Sequence, residues 1–479
     1  MDRRTALKAL SLGLFSTIIN PRLSGLERFV LQEELKARDF GKDFLWGVST
    51  SAYQTEGAYN LDGRGMSVWD QFSHTDGKIK NNQAGDTACD FYHQYPGDIG
   101  LIKNLNFNAF RFSLSWPRIL PSGKKVVNQK GIDFYQRVID ECLKQGIEPW
   151  ITLYHWDLPQ DLQERGGWKN REVVDCFSEY ALLCARSFGD RVRNWMVLNE
   201  PFAFTTLGYL LGIHAPGKYG FKNFIPAVHH AALCQGIGGK IIRDTVKNAR
   251  VGTTFSISVV DPFRQDDEDL LAVKRYDALL NRLFIEPACG LGYPLADLPF
   301  LSGIEKHIRP EDPALLKFDF DFIGVQNYTR VVVRGSQFMP WLLGIPVSPK
   351  RKKLGPVTGM GWEVYPEGIY RALKFYEKYP VNDIYVTENG AAFRDVLSGV
   401  EVHDPERISF FKAYLKQVLK AKNEGIKVKG YFAWSLLDNF EWADGYTKRF
   451  GLVYIDFQSQ ARHIKDSGHW FREFLKKGG

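Results

Sequence analysis

Short apolar runs recur along the chain and alternate with longer segments whose apolar residues repeat at helical spacing. Eight of these runs have the length and composition of buried β-strands: 44–51, 109–116, 148–154, 195–199, 251–257, 320–327, 384–387 and 428–434. Amphipathic helices are predicted between them, among others at 131–145, 171–188, 227–247, 366–379 and 405–425. Strands and helices that alternate in this way form right-handed β-α units and a parallel sheet.

Polar or aromatic side chains stand at the ends of most of the strand-like runs. They are Gln54, Arg111, His155, Asn199, Glu200, Asn327, Tyr328, Glu388 and Trp434. A closed barrel collects all the C-terminal strand ends around one mouth, whereas an open doubly wound sheet spreads them along an edge, about 4.8 Å per strand. So many polar groups would be costly inside a core, and a barrel gathers them at one open site. We therefore predict an α/β fold with a single (β/α)8 TIM barrel, over residues 38–479.

Two glutamates occupy matched positions in this pattern. Glu200 follows the run 195–199 and precedes Pro201, and Glu388 follows the run 384–387 and precedes Asn389. A carboxylate at the end of a buried strand is costly unless it faces an open site. Two such strand ends therefore indicate one shared pocket, and a pair of carboxyl groups is what cleavage of a glycosidic bond requires.

Composition narrows the functional classes. The chain has 479 residues, of which 44% are hydrophobic and 12 are Trp, so it can bury a large core and also has aromatic faces for sugars. Its net charge is +7, and residues 1–25 hold four basic residues against one acidic residue. The net charge of the rest of the chain is too small to indicate binding to nucleic acid, and the basic run 350–353 is predicted to be a solvated loop. The six cysteines show no zinc or redox spacing, and several are predicted to be small buried hydrophobes. No metal or organic cofactor is expected, because carboxyl groups suffice for the chemistry indicated above.

The N-terminus resembles a targeting segment. Arg3 and Arg4 precede a mostly apolar stretch, 9–19, which is shorter than the roughly 20 residues of a membrane-spanning helix. We predict an export signal of the twin-arginine type at 1–25, which would place the protein in a bacterial periplasm. The alternative is a disordered or amphipathic extension, in which case the protein is cytoplasmic. No stable membrane span is expected elsewhere in the chain.

An ordered set of motifs carries a family resemblance. The motifs are FLWG at 44–47, SAYQTEG at 51–57, RFSLSWPR at 111–118, LNEP at 198–201, TENG at 387–390, WSLLDNFEW at 434–442 and KRFG at 448–451. This set resembles glycoside hydrolase family 1, the β-glucosidase and β-galactosidase family, over residues 40–475. The resemblance implies a retaining enzyme that acts through two carboxyl groups.

The resemblance also implies a role for each carboxyl group. Glu388 is expected to be the nucleophile, with Arg111 lowering its pKa and Tyr328 donating a hydrogen bond to it. Glu200 is expected to be the acid/base residue, with a pKa raised by burial and by the charge of Glu388.

Further positions are expected to bind the sugar. The residues expected to form hydrogen bonds with its hydroxyls are Gln54, His155, Asn199 and Glu441. Trp434 is expected to stack on the sugar ring, and Trp156 and Trp442 are expected to form the side walls of the pocket. Glu441 favours a neutral sugar, because a carboxylate close to a phosphate dianion is strongly unfavourable in a pocket of low dielectric.

The function predicted is a retaining exo-β-glycosidase of the β-glucosidase type. It would release terminal non-reducing β-D-glucosyl residues, and also galactosyl or fucosyl residues, from small β-glycosides and from oligosaccharides such as those of cellulose. The alternatives are a catalytically inactive sugar-binding barrel and a transglycosylase on the same scaffold. The segment 330–356 is expected to shape the entrance for the leaving group, while the preferred sugar, the leaving group and the oligomeric state stay open.

Overall fold

The computed structural model describes residues 35–476, and its centre is a closed barrel of eight parallel strands. Each strand pairs with the next one in the chain, and the last strand pairs with the first. The strands are β1 (Leu45–Ser49), β2 (Ala109–Ser113), β3 (Glu148–Tyr154), β4 (Asn194–Asn199), β5 (Arg250–Ser256), β6 (Phe322–Gln326), β7 (Asp383–Asn389) and β8 (Val428–Trp434). The predicted TIM barrel is confirmed. β3 and β8 have the predicted bounds, and the other strands differ from the predicted runs by one to three residues at one or both ends. One difference bears on the site, because β7 continues to Asn389 and therefore includes Glu388.

One principal helix follows each strand and packs outside the barrel. The helices are α1 (Phe91–Asn104), α2 (Gln129–Lys144), α3 (Glu172–Phe188), α4 (Phe221–Thr245), α5 (Asp267–Asp277), α6 (Glu367–Phe375), α7 (Pro405–Asn423) and α8 (Asp466–Phe474). All five helices whose ranges were predicted from the sequence are present. The prediction for α4 began too late, at 227, because the helix continues back through Pro226 to Phe221.

Helical spacing of apolar residues explains why these segments lie against the barrel. In α2, the buried positions include Ile132, Tyr135, Val138, Ile139 and Cys142, which recur every three or four residues and form one face. The six cysteines are free thiols, and all but Cys289 are buried, as expected of small hydrophobic side chains.

Aromatic and aliphatic side chains fill the lower half of the barrel. The cluster consists of Ala109, Trp150, Met196, Phe322, Tyr385 and Phe432, which come from six different strands. This packed layer forms a floor, and the polar residues at the strand ends lie above it. The two layers meet where the Arg111 Nε donates to the Met196 sulfur at 3.1 Å.

Two strands depart from regular register directly above this floor. The pairing of β4 shifts between Met196 and Asn199, and that of β7 shifts between Val386 and Glu388. Side chains alternate between the two faces of a regular strand, so a residue three positions after an inward-facing one would point outwards. A register shift of the β-bulge kind reverses this alternation. Asn199 and Glu388 consequently point into the barrel mouth.

Residues 1–25, which are predicted to be an export signal, lie outside the described residues. Within 35–476, the helices include none that combines the length and apolar character needed to cross a bilayer. The export signal therefore stays a prediction.

Candidate active site

A pocket of about 270 Å³ opens at the C-terminal ends of the barrel strands, where barrel enzymes hold their active sites. Eight of the eleven predicted site residues line it: His155, Trp156, Glu200, Tyr328, Glu388, Trp434, Glu441 and Trp442. The other three, Gln54, Arg111 and Asn199, are fully buried behind this lining. Ligand sites typically measure about 300–1,000 Å³, so the pocket suits one small unit such as a single sugar ring.

Three hydrogen-bond donors surround the Glu388 carboxyl group. Arg111 Nη1 donates to Oε1 at 2.5 Å, and Gln326 Nε2 donates to the same oxygen at 2.7 Å. The Tyr328 hydroxyl donates to Oε2 at 2.6 Å, as the sequence predicted. The pKa of Tyr328 is raised well above its ordinary value, chiefly by burial, so the hydroxyl keeps its proton and remains a donor. Three donors and one fixed cation favour a charged carboxylate at this position.

The Glu200 carboxyl group has a different environment. Burial and the neighbouring charge of Glu388 raise the pKa of Glu200 to about 8, with the Ser256 hydroxyl and Arg111 acting weakly in the opposite direction. The raised pKa predicted for this residue is confirmed. At neutral pH, Glu200 therefore carries a proton that it can donate.

The pKa of Glu388 departs from the prediction. Burial raises it above the ordinary range, while Arg111 and Tyr328 lower it. The prediction of a net lowering is wrong, because the cost of burying the charge exceeds the attraction of one guanidinium. Arg111 nevertheless contacts Glu388 and makes no ion pair with Glu200. When the two carboxyl groups share one negative charge, that charge resides on Glu388.

Three residues of the pocket lining have left-handed backbone conformations. The φ angles are +44° at Glu200, +79° at Trp156 and +48° at Trp442. A side chain other than glycine in this region costs about 1–3 kcal/mol, and such residues cluster at functional sites. The strain is a second indication, independent of charge, that the backbone at this mouth is held for function.

Asn199 connects the two sides of the site. Its Oδ1 accepts hydrogen bonds from Arg111 at 2.5 Å, Gln326 at 2.7 Å and Thr254 at 2.9 Å. Its Nδ2 lies 3.0 Å from His155 Nε2, and burial together with Arg111 lowers the pKa of His155 well below its ordinary value. The imidazole is therefore neutral, and it can exchange hydrogen bonds with a hydroxyl group without adding charge.

Glu441 supplies a third carboxyl group to the pocket. Gln54 Nε2 lies 3.3 Å from its Oε2, and the same amide also donates to Asn439 and to the Phe440 carbonyl. Burial, with Asp444 and Glu388 nearby, raises the pKa of Glu441 to about 8. Since a carboxyl group presents two oxygens side by side, this position can form hydrogen bonds with two adjacent hydroxyls.

Tryptophan side chains form much of the apolar part of the pocket. The rings of Trp156 and Trp442 are 4.5 Å apart, and Trp434 lies nearly parallel to the His155 ring at 6.1 Å. Gly390 allows the chain after β7 to approach β8, because a Cβ atom there would lie 1.8 Å from the Trp434 carbonyl oxygen. The indole of Trp434 is thereby held against the site.

Sequence reasoning missed several residues of the site. Gln326 is fully buried and donates to both Glu388 and Asn199, and Met360 and Trp362 are part of the pocket lining. The sequence contains a signal for Gln326, which stands four positions after Phe322 and two after Gly324. Because side chains alternate along a strand, Gln326 shares the inward face of Phe322. Met360 and Trp362 come from a long loop whose path leaves no periodic signal.

A second pocket adjoins the first. It measures about 310 Å³ and shares Ser256, Tyr328 and Trp362 with the first pocket. Its other lining residues are Ser258, Thr329, Arg330, Val331, Val332, Pro346, Val347, Pro349 and Gly361. Part of this lining lies on a small sheet outside the barrel, formed by Val260–Pro262, Val331–Gly335 and Gly344–Pro346. The segment 330–356 thus contributes to a pocket beside the two glutamates.

The fold and the site together define a barrel glycosidase: two buried carboxyl groups, one held by a guanidinium and one protonated, share a small aromatic pocket. A family model described as glycosyl hydrolase family 1 matches residues 36–479. The chain belongs to glycosyl hydrolase family 1, and the resemblance found in its motifs is confirmed.

Similar proteins cover almost the whole chain. Beta-glucosidase A of Thermotoga maritima is 45% identical over 448 residues, which span 93% of this chain and 99% of that protein. Beta-glucosidase A of Acetivibrio thermocellus is 42% identical over 92% of this chain and 99% of its own length. A structure of the Thermotoga maritima β-glucosidase in complex with glucoimidazole superposes with a TM-score of 0.87, covering 92% of this chain and 99% of that one.

Proposed function

We propose that the protein is a retaining β-glucosidase that hydrolyses terminal non-reducing β-D-glucosyl residues of small β-glycosides and oligosaccharides. The observation that carries this proposal is the unequal environment of the two carboxyl groups: Glu388 binds Arg111, Gln326 and Tyr328, whereas the pKa of Glu200 is about 8. The names of the similar proteins support glucose as the sugar.

In the first step, Glu388 Oε attacks the anomeric carbon while Glu200 gives its proton to the departing oxygen. The bond to the leaving group breaks, and an ester bond forms between the sugar and Glu388. Esterification removes the negative charge from Glu388, which lowers the pKa of Glu200. Glu200 is then able to accept a proton from water.

In the second step, water attacks the anomeric carbon from the side that the leaving group vacated. Glu200 takes the proton of that water, and the ester bond to Glu388 breaks. Two inversions at one carbon give net retention. Arg111 and Tyr328 stabilise the carboxylate of Glu388 as it leaves, and His155, Asn199, Gln54 and Glu441 position the sugar hydroxyls, with Trp434 beneath the ring.

A panel of 4-nitrophenyl β-glycosides tests the sugar. The glucoside is expected to be hydrolysed with the highest kcat/KM. The 6-phosphoglucoside is expected to be refused, because its dianion would have to leave water for a pocket whose lining has four acidic residues and no lysine or arginine. Galactoside, fucoside, mannoside and cellobiose complete the comparison. Faster hydrolysis of the phosphorylated glucoside would contradict the assignment of a neutral sugar.

The pH dependence follows from the two pKa directions. Activity needs Glu200 protonated and Glu388 ionised, so kcat/KM should fall above pH 8 as Glu200, with a pKa of about 8, loses its proton. On the acid side, the raised pKa of Glu388 should move the loss of activity above the pH at which an ordinary carboxyl group titrates. A pH profile of kcat/KM measures both limbs.

Glu441 also titrates near pH 8, so a variant is needed to assign the alkaline limb. In Glu200→Gln, assayed with a dinitrophenyl glucoside that needs no acid, the alkaline limb is expected to disappear. Persistence of that limb would assign it to Glu441 and would contradict the role of Glu200.

We further propose that residues 1–25 direct export from a bacterial cell, on the strength of the paired Arg3 and Arg4 and the apolar stretch that follows. In fractionated cells of the native host, the protein is expected in the periplasm. Recovery from the cytoplasm alone would reject the export signal and leave the catalytic proposal untouched.

A further inference from the structure

The second pocket, of about 310 Å³, continues the catalytic pocket on the side of Glu200. Ser256, Tyr328 and Trp362 line both pockets, and the Ser256 hydroxyl lies beside the Glu200 carboxyl group. In the proposed function, Glu200 protonates the departing oxygen, so the group attached to that oxygen leaves the sugar on the Glu200 side. The second pocket is therefore within reach of the leaving group.

Apolar side chains make up half of the lining of the second pocket. Six of its twelve lining residues are of this kind: Val331, Val332, Pro346, Val347, Pro349 and Trp362. Val331, Val347 and Pro349 are half-buried, so part of their apolar surface is open to a ligand. An apolar group that covers this surface removes it from water, which is favourable.

Arg330 is the one charged residue among the twelve, and its charge is compensated within the protein. Its Nε and Nη2 donate to Glu363 at 2.8 and 2.9 Å, and its Nη1 donates to Asp261 at 3.0 Å. The guanidinium also lies 4.0 Å from the centre of the Tyr365 ring. The twelve lining residues thus offer no free charge to an ionic leaving group.

Two hydroxyl groups of the lining already donate to other parts of the protein. Tyr328 donates to Glu388 at 2.6 Å, and Thr329 Oγ1 donates to the Glu363 carbonyl oxygen at 2.9 Å. A second sugar ring would bring several hydroxyls of its own, and a hydroxyl buried without a partner is unfavourable. An alkyl or aromatic group brings none.

We propose that the second pocket binds an apolar leaving group, an alkyl or aromatic group rather than a second sugar. The inference rests on the proposed function, because it concerns the substrate of the same site. Trp362 has a flat face that suits a sugar or an aromatic ring equally. The valines and prolines around it, together with polar groups that are already in use, favour a leaving group without hydroxyls.

Alkyl β-glucosides of increasing chain length test the proposal. Their leaving alcohols have nearly the same acidity, so the series isolates apolar contact from the chemistry of bond cleavage. From methyl through butyl to hexyl β-glucoside, kcat/KM of the wild type is expected to rise about two- to fourfold for each added methylene. Hexyl β-glucoside should also have a higher kcat/KM than cellobiose.

Variants at Val347 place the effect in the second pocket. Val347→Asp introduces a charge and should lower the ratio of kcat/KM for the hexyl and methyl glucosides at least about tenfold. Val347→Thr keeps the volume and adds a hydroxyl, so it should lower the ratio by a smaller factor, and it replaces the first variant if thermal unfolding shows a misfolded protein. The matched control is Val400→Asp, which adds the same charge at an exposed turn outside both pockets and should keep the wild-type ratio.

Three results would overturn the assignment. They are a kcat/KM that does not change with chain length, a lower kcat/KM for hexyl glucoside than for cellobiose, and a rise with chain length that both Val347 variants leave intact. The last of these would place the alkyl chain elsewhere. Failure to hydrolyse any glucoside, the methyl and nitrophenyl ones included, would instead contradict the proposed function and this inference with it.

Discussion

The variant Glu388→Gly is expected to lose essentially all hydrolytic activity, with kcat lowered on the order of 10⁵-fold, because no ester can form without the carboxylate. Azide should restore turnover. It fits the space that the side chain leaves, attacks the anomeric carbon from the same side as Glu388 did, and should give the glycosyl azide of inverted, α configuration. The rate and the configuration of the azide product are measured together by NMR.

Glu388→Gln is the matched control. Its amide fills the space that glycine leaves open, so azide should restore little activity although the variant is equally slow. Both variants leave the Arg111 guanidinium buried without its carboxylate, which destabilises proteins by about 3–5 kcal/mol, so thermal unfolding is recorded for each. A β-configured azide product from the folded glycine variant would mean that Glu388 is not the nucleophile.

The second large loss of activity is expected for Glu200→Ala, and its size depends on the leaving group of the substrate. Hydrolysis of cellobiose, whose departing hydroxyl needs a proton, should slow about 10²–10⁴-fold. Formation of the glycosyl-enzyme from a dinitrophenyl glucoside should stay near the wild-type rate, because that leaving group departs as an anion. The measurement compares kcat/KM for the two substrates in the variant and in the wild type.

Azide distinguishes the two glutamates by stereochemistry. With Glu200→Ala, azide replaces water in the second step and should yield the β-configured glycosyl azide, the opposite anomer from that of Glu388→Gly. If both substrates slowed equally and azide had no effect, Glu200 would be a structural residue and not the acid/base group.

The barrel could be predicted because its signals are local. Each strand is a short apolar run, each helix a periodic one, and the alternation of the two leads to a parallel sheet. It could also be predicted that Arg111, Tyr328 and Glu388 lie close together, since the parallel strands of a barrel all end at one mouth. Side-chain identity at the strand ends was therefore enough to find most of the pocket.

Exact orientation within the mouth could not be predicted from local patterns. Met196 and Tyr385 point into the barrel, and Asn199 and Glu388 each stand three positions later. If side chains alternated strictly, both would point away from the barrel axis, and only the register shifts in β4 and β7 turn them inwards. Those shifts depend on pairing with neighbouring strands. The same holds for Gln326, whose importance appears only once Glu388 and Asn199 lie beside it.

The sign of the pKa shift at Glu388 is a further effect of tertiary structure. The sequence indicates an attractive partner in Arg111, but the opposing cost of burial depends on how completely the surrounding strands and loops exclude water. Glu388 has only 3% of its surface exposed, and burial exceeds the attraction. The environment thus raises the pKa of both glutamates, and the contact with Arg111 decides which of them holds the charge.

The central claim is that the reaction proceeds through a covalent glycosyl-enzyme on Glu388, and the first-formed product tests it most directly. Proton NMR during rapid hydrolysis of 4-nitrophenyl β-glucoside by the wild-type enzyme should detect β-glucose first, with the α-anomer growing only as mutarotation proceeds. Initial release of α-glucose would contradict the double displacement.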